Sequence, residues 1–557
     1  MKTPLLITVL LFANLCVAQK TQKVQYSTYI GGNGSDFTTN IQLTKDDDII
    51  ISLSGSTGCV TTPGVHQTLY SGGQNDALLQ KRDKNGTLLW SSYFGGGLEE
   101  YANKATILKS GKIALAGQTS SLSNIAFNGH QENYGGGTYD GFLAIFNEDG
   151  TLDWSTYFGG TGEDAVYGVN EDSEENLYIS GYTSSSSNIS TVGSYQLLYG
   201  GNEDGFLSKF SSDGQLIWST YIGGSGIDGI VSMDIDASGD LWLGGLSYST
   251  SGLVTNNAFD PIYSGRGDAL LMSFDKDGKK VYGTYYGGTD TDAIYVLHID
   301  KAGNIWFGGP AKSATDIASP GAISEFNSGN IDVFLVKFNK NKALEWATYL
   351  GGNKWDTFFG MDVDSNGNAI LNMMTQSDNF HPIENAMQKT YGGGPWDAVY
   401  TKIDSSGNLI WSTFHGGTGN DRGIDVKVNS EGNLIFTTTV GSQNLHTDDA
   451  DDKMLNGLQD ALLAIIKEEE ISTLNPVVDI LPEINVYPNP VSKTMAISVE
   501  NPDQYIFEIY DVIGNKMNVN MNKNDHIETD LFLPGLYYVK ATNPLKNFTL
   551  YKNFIKI

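Results

Sequence analysis

The phrase Trp218-Ser219-Thr220-Tyr221-Ile222-Gly223-Gly224 returns seven times along the chain, and that regularity limits the fold before any local feature is weighed. Its tyrosine position is held by Tyr29, Tyr93, Tyr157, Tyr221, Tyr285, Tyr349 and Phe414, spaced by 64 residues five times and by 65 once. A second phrase keeps the same beat to within a residue. It is an acid that opens a short apolar run, at Asp76, Asp140, Asp204, Asp268, Asp332, Asp397 and Asp460.

Within one period, alternation of apolar and polar residues predicts strands at 204–210, 215–222, 229–235 and 240–245. Ser211-Ser212-Asp213-Gly214 and Asp236-Ala237-Ser238-Gly239 are turns, and Gly223-Gly224-Ser225-Gly226 is a short irregular link. Two hairpins per period make one four-stranded meander, which cannot bury both faces alone. Repeats set radially can, because each sheet packs on its neighbours. The periodic region begins halfway through a repeat, at 24–30, and ends halfway, at 460–467. The half missing at one end is the surplus half at the other, which a closed ring requires.

The expected fold is therefore all-β: a seven-bladed β-propeller of four-stranded blades over residues 24–467, with its terminal strands closing one shared blade. The strand after each Gly-Gly link, such as 165–169 or 229–235, is expected innermost. The N-terminal strand is then the outermost of the seventh blade. At Glu468 the beat stops, and 468–483 reads as a charged, Ser/Thr/Pro-containing linker. Residues 484–557 carry their own strand pattern and are expected to form a small antiparallel β-sandwich.

Gly (66) and Tyr (29) are abundant and Pro (14) is scarce, as suits many short strands with tight turns. Lys and Arg total 34 against 64 Asp and Glu, a formal net charge of −30 that disfavours nucleic acid and anionic membranes as partners. A monomer is expected. No cofactor is expected either, Ca²⁺ being the cation such a surface could collect. Residues 1–18 read as a secretory signal, with Lys2, an apolar run over 4–12 and a cleavage site between Ala18 and Gln19. Cys16 invites a lipoprotein reading, but Ala13-Asn14-Leu15 before it fits that pattern poorly. No segment reads as a transmembrane span. After cleavage only Cys59 remains, so no intramolecular disulfide can form.

The repeats, represented by Asp204-Gly205-Phe206-Leu207-Ser208-Lys209-Phe210 and Ser219-Thr220-Tyr221-Ile222-Gly223-Gly224, resemble the bacterial β-propeller repeat family called SBBP. That resemblance implies a fold and carries no shared activity. The end of the chain resembles a type A sorting domain of type IX secretion. The residues that carry this are Val486-Tyr487-Pro488-Asn489-Pro490-Val491, Ile509-Tyr510-Asp511-Val512-Ile513-Gly514-Asn515-Lys516, Leu533-Pro534-Gly535-Leu536 and Phe554-Ile555-Lys556-Ile557. Leu536 stands where the family often has Ile. The resemblance implies export to the periplasm, passage across the outer membrane through the type IX machinery, and removal of the tail. The cargo is then released or attached to surface lipopolysaccharide.

Two acids recur in every repeat. One opens each apolar strand; the other, at Asp36, Glu100, Asp164, Asp228, Asp292, Asp356 and Asp421, lies four residues past each Gly-Gly pair. A carboxylate ring could hold Ca²⁺ through hard oxygen ligands. Repetition in every blade favours the plainer role of fixing a turn, since a catalytic group is needed once. Asp-x-x-Gly turns such as Asp275-Lys276-Asp277-Gly278 lack the distal Glu of a calcium loop. The run Asp448-Asp449-Ala450-Asp451-Asp452 reads as a solvated loop, with a weak cation site as the alternative.

Residues that break the symmetry are better candidates for ligand contact. Trp90, Trp154, Trp218, Trp346 and Trp411 share one repeat slot, and Trp242 and Trp306 another, so these seven read as packing. Trp355 and Trp396 fit neither slot, and Lys354, His415 and Arg422 also depart from their repeats. Exposed Trp stacks on sugar rings and Arg bonds hydroxyl or carboxylate groups, so Trp355, Trp396 and Arg422 form a candidate glycan patch. No nucleophile elbow, zinc motif or phosphate loop is present. The reading is a secreted or surface-attached binding or scaffold protein without catalysis. The alternatives are an extracellular polysaccharide lyase or hydrolase and a calcium-dependent adhesin.

Overall fold

The computed structural model describes residues 20–380, 386–470, 484–499, 502–519, 526–543 and 548–557. The expected cleavage site at Ala18 and Gln19, and residues 471–483 of the expected linker, lie outside them. The chain divides into two compact units at Glu470/Ile471.

In the first unit, the described residues form seven four-stranded antiparallel sheets. In the third, Asp164–Glu171, Leu177–Thr183, Asp204–Phe210 and Leu216–Ile222 pair in that order. A period cut at Asp204 therefore straddles two sheets. Its first hairpin finishes one blade and its second opens the next, which corrects the reading of a period as one meander. The long Ser/Thr-rich connection lies inside a blade, between strands that pair from Leu241↔Phe274 to Ser247↔Asp268. The short Gly-Gly link instead crosses from an outermost strand to the next innermost one. That crossing is three strand spacings, about 14 Å, within the roughly 20 Å that six extended peptide steps reach.

The inner strands Phe37–Leu43, Glu100–Ile107, Asp164–Glu171, Asp228–Ile235, Val296–Ile299, Asp356–Val363 and Arg422–Val428 follow the Gly-Gly links, as expected. Each packs against the next, and Arg422–Val428 packs against Phe37–Leu43, so the ring closes. The seventh sheet is completed by the N-terminus: Lys20–Ile30 is its outermost strand and pairs with Asp460–Glu470, with Tyr29 opposite Leu462. That strand continues to Glu470 rather than ending at Lys467. Glu468 keeps it in place, its carboxylate accepting hydrogen bonds from Trp411 Nε1 at 2.7 Å and Lys402 Nζ at 2.7 Å.

The recurring tyrosine explains its own repetition. Tyr93, Tyr157, Tyr221 and Tyr285 each donate their hydroxyl to the carbonyl of a serine in the same blade: Ser56 (2.6 Å), Ser121 (2.8 Å), Ser185 (2.7 Å) and Ser249 (2.6 Å). Tyr29 does the same to Ser442 (2.8 Å), 413 residues away in sequence, so the closing strand occupies an ordinary place in the pattern. The recurring tryptophan ties blade to blade. Trp154, in the second blade, donates Nε1 to the Ser212 carbonyl of the third at 3.0 Å. It lies under Gly214, whose φ of +86° and closeness to the indole leave no room for a side chain. The core accordingly sits between neighbouring sheets: Trp242 and Leu271 of the fourth blade pack with Ile305, Phe334 and Val336 of the fifth.

In the second unit the described residues form two three-stranded sheets, Asn485–Tyr487 with Thr494–Ser498 and His526–Glu528, and Ile506–Asp511 with Gly535–Asn543 and Phe548–Lys556. Val486, Met495 and Ile527 of one bury against Ile509, Val539 and Phe554 of the other, which makes the expected sandwich.

Candidate functional site

The two recurring acids meet at the rim of the ring. A Cβ on Gly159, the first glycine of a Gly-Gly pair, would stand 2.7 Å from Asp164 Oδ2 and 2.9 Å from Asp140 Cγ. Only glycine fits between them. Asp164 accepts from Gly160 N at 2.8 Å, from Ser185 Oγ at 2.8 Å and from the Thr183 hydroxyl. Asp140 accepts from Gly135 N at 2.6 Å. The same bonds recur around the ring, for example Gly352 N to Asp356 at 2.8 Å and Ser328 N to Asp332 at 2.7 Å. These acids are buried turn-fixing groups. Burial, with Asp164 facing it, pushes Asp140 up to about 7, and Asp76, Asp332 and Asp397 also rise to about 7. Among the described residues no cluster of three or more His, Cys, Asp or Glu is placed to hold a metal ion.

Inside the ring the seven inner strands line a cavity of about 730 Å³. Here the repeat breaks down. Three residues after the rim acid stand Thr39, Asn103, Tyr167, Val231, Tyr295, Phe359 and Ile424. Tyr295 (37% exposed) and Phe359 (42% exposed) stack with ring centroids 5.5 Å apart and planes 18° apart, and Tyr167 stacks on Tyr182 at 5.8 Å. Six residues after the rim acid stand Gln42, Thr106, Asn170, Asp234, His298, Asp362 and Lys427. His298 lies between two acids, Nδ1 being 3.5 Å from Asp234 and Nε2 4.0 Å from Asp362. An aromatic belt near the rim thus gives way to a charged zone deeper in.

The inner-strand acids are already engaged by backbone. Asp234 accepts from Ile235 N and Ile299 N, both at 2.8 Å, and Asp362 accepts from Val428 N at 2.7 Å. Asp425 accepts from Asn40 Nδ2 at 2.7 Å and Ile41 N at 3.0 Å, joining the seventh blade to the first. Burial holds Lys104 below the usual lysine range. Burial also works against the Lys427 ammonium, yet Asp425, Asp362 and Asp234 together hold it above that range.

The candidates singled out in the sequence fall outside this cavity. Trp355 is 41% exposed, Trp396 is 9% exposed, and their rings meet edge to face at 5.5 Å. Arg422 Nε donates to Asn420 Oδ1 at 3.3 Å, and Asn420 bridges to Trp396. The three are therefore neighbours, as a patch requires, although Trp396 offers little surface. Lys354 is exposed. His415 is buried against Tyr400, its Nδ1 2.8 Å from the hydroxyl, and burial pushes it down to about 4. The sequence reading missed Tyr295, Phe359, Lys104, His298 and Lys427. Their signal in the sequence is that each departs from the residue at the equivalent position of the other inner strands.

The C-terminal sandwich is held by its motif residues. Ile555 N donates to Asn489 Oδ1 at 2.9 Å, Lys556 Nζ donates to the Ser492 carbonyl, and Gly514 takes a φ of +88° in the Asp511–Asn515 turn. Tyr487, Pro488 and Pro490 flank Asn489 on that run, and Tyr537 Oη, just past Pro534 and Gly535, donates to the Leu533 carbonyl at 2.9 Å.

The molecule is thus a propeller carrying a sorting tail. Residues 485–556 match the secretion system C-terminal sorting domain family. That match indicates type IX export to the cell surface or the extracellular space, and with it an interaction with the type IX machinery. The chain is 26% identical over 318 residues to the regulatory protein FlaEY of Caulobacter vibrioides, which covers 54% of this chain and 32% of that protein. It therefore spans about a third of the length of the curated relative it matches. Among solved structures it is similar to PorZ, a surface component of the type IX secretion system of Porphyromonas gingivalis. That likeness has 10% identity and a TM-score of 0.24, and covers 97% of this chain and 86% of PorZ. It is also similar to an apocarotenoid oxygenase variant from Synechocystis, with 10% identity and a TM-score of 0.34, covering 72% of this chain and 94% of the other. At scores this low neither carries an argument about this chain. No helix among the described residues is long and apolar enough to cross a membrane.

Proposed function

We propose that the protein is a secreted or surface-displayed binding protein whose ligand sits in the mouth of the central channel. The observation that carries this is the stacked, solvent-facing pair Tyr295 and Phe359, at an inner-strand position that differs from blade to blade. Exposed aromatic faces in a concave, mostly preformed site are where small ligands bind. The test is a glycan and protein binding array on the mature chain, repeated with Tyr295→Ala/Phe359→Ala. A hit lost in the variant supports the reading; hits unchanged by it remove the channel as the site.

The adjacency of Trp355, Trp396 and Arg422 favours a second contact surface for a glycan. Trp355→Ala tests it separately, because it leaves the channel lining intact. A glycan-active enzyme remains the rival. A polysaccharide panel scored for cleavage separates it from a binder, and calorimetry with Ca²⁺ and chelator addresses a calcium-dependent adhesin. The same proposal includes the SBBP character of residues 24–467, monomeric behaviour, and a signal peptide cleaved between Ala18 and Gln19. N-terminal sequencing of the exported protein checks the cleavage.

A further inference from the structure

Between neighbouring blades the fold repeatedly sets a cation against the wall of the gap. In the third blade Lys209 lies over the Tyr178 ring at 5.0 Å and donates to the Lys276 carbonyl of the fourth at 3.3 Å. Lys337 lies over Trp306 at 5.0 Å and donates to the Ser405 carbonyl of the sixth blade at 3.0 Å. Lys402 reaches Glu468 of the seventh blade at 2.7 Å, and Lys81 reaches Asp48 at 3.1 Å. Where this strand lysine is missing, the next blade supplies the charge. Ser273 holds the slot in the fourth blade, and Lys342 of the fifth brings its ammonium to 5.3 Å from Tyr282. Ile465 holds it in the seventh, and the buried guanidinium of Arg82 in the first comes up beside Tyr26.

The gap between the second and third blades departs from this. Ile145 pairs with Ala114 there, where the third blade pairs Lys209 with Tyr178. The third blade offers Phe210 where the first has Arg82, and Gly214 where the fifth has Lys342. The gap is left with a cavity of about 400 Å³ whose lining joins Ile145, Trp154 and Leu177 to the carboxylates Asp153, Glu171 and Glu175. Lys112 also lines it, but pairs with Asp153 at 2.8 Å and is 37% exposed, against 7% for Lys209. The Ser405 carbonyl takes both Trp346 Nε1 and Lys337 Nζ, at 3.1 and 3.0 Å. Its counterpart at Ser212 takes Trp154 Nε1 at 3.0 Å and keeps its second lone pair. Glu171 accepts from the Lys109 amide at 2.6 Å. Burial, then the charges of Glu175 and Asp172, hold Glu171 above the usual carboxylate range against the pull of Lys109. We infer that this gap takes an ammonium-terminated alkyl chain, its stem along Ile145 and Trp154 and its ammonium donating to the Ser212 carbonyl and Glu171. A free diamine and the lysine side chain of a peptide share this chemistry. The site has no residue in common with the channel lining, so it stands independently of the channel reading.

The test is calorimetric titration of the purified full chain, up to millimolar concentration, with cadaverine and with Nα-acetyl-lysine methylamide. Each is compared with an uncharged counterpart, n-pentanol and the Nε-acetylated lysine amide. At least one amine is expected to bind, its counterpart being weaker by about tenfold or more, the scale of a charge-assisted hydrogen bond. Binding of cadaverine alone assigns the source as a free diamine, and of the lysine amide alone as a peptide side chain. Ile145→Lys puts the repeat's own lysine into the gap and is expected to abolish binding, whereas attraction to the acidic surface at large would survive it. Glu171→Gln is expected to weaken the amine by about tenfold. Should Ile145→Lys fail to fold, Glu171→Gln and the comparison of charged with uncharged probes on the unaltered chain decide. Absence of binding by either amine, counterparts that bind as well as the amines, or full amine affinity in both variants overturns the inference.

Discussion

The rim and the channel of the same ring share the inner strands, and they obey opposite rules. At the rim, Asp140 and Asp164 repeat in kind in every blade and are consumed by local hydrogen bonds. Three residues further along the inner strand, the seven equivalent positions hold Thr39, Asn103, Tyr167, Val231, Tyr295, Phe359 and Ile424. A position that does the same mechanical work in each blade keeps its residue. A position that faces the single space shared by all blades is free to differ, and ligand contact needs it to differ.

The sharpest way to break this comparison is to disturb a rim pair. Gly159→Leu drives a side chain between Asp164 and Asp140, where a Cβ alone would lie 2.7 Å and 2.9 Å from their atoms. It should lower stability by about 3 kcal/mol in urea unfolding. The rim also predicts a pH dependence. A carboxyl raised to about 7 in the fold, as Asp76, Asp140, Asp332 and Asp397 are, favours its neutral form there. Its contribution is fully present below its unfolded value near 4 and is lost as pH rises through about 7. The melting midpoint should therefore rise by about 5 °C between pH 8 and pH 5.5, and Asp140→Asn should flatten that slope. His415, pushed down to about 4 by burial, works in the opposite sense and lessens the gain below about pH 6.5. Tyr157→Phe removes the hydroxyl that donates to Ser121 at 2.8 Å and should cost about 1 kcal/mol by the same unfolding assay. At the small end, Trp355→Ala removes a 41% exposed ring and should change stability by no more than about 0.5 kcal/mol.

Most of the architecture was legible in the sequence because the repeat states it many times over. The half-repeats at the two ends specified the pairing of 24–30 with 460–467, and that pairing is present, extended to Lys20 and Glu470. The blade boundary was harder to read. Asp204–Phe210 and Asp228–Ile235 look alike as strands, and only hydrogen bonding shows that they belong to different sheets. The channel was less legible still. Lys104, His298 and Lys427 are ordinary residues of amphipathic strands, and nothing local marks them as convergent. They line one cavity only once seven strands separated by hundreds of residues share one axis. Trp355 and Trp396 drew attention because tryptophan is conspicuous, and their contact at 5.5 Å could not be read from a separation of 41 residues.

The central claim is that repeated positions hold the ring and varied positions face its ligand. Urea unfolding of two matched sets measures it most directly: alanine at the rim acids Asp164, Asp292 and Asp356, and alanine at the channel positions Tyr167, Tyr295 and Phe359. The rim set is expected to lose about 3 kcal/mol per substitution, since each leaves several buried donors unpaired, and the channel set less than about 1 kcal/mol. Rim variants as stable as the parent chain, or channel variants that unfold as readily as rim variants, would contradict it.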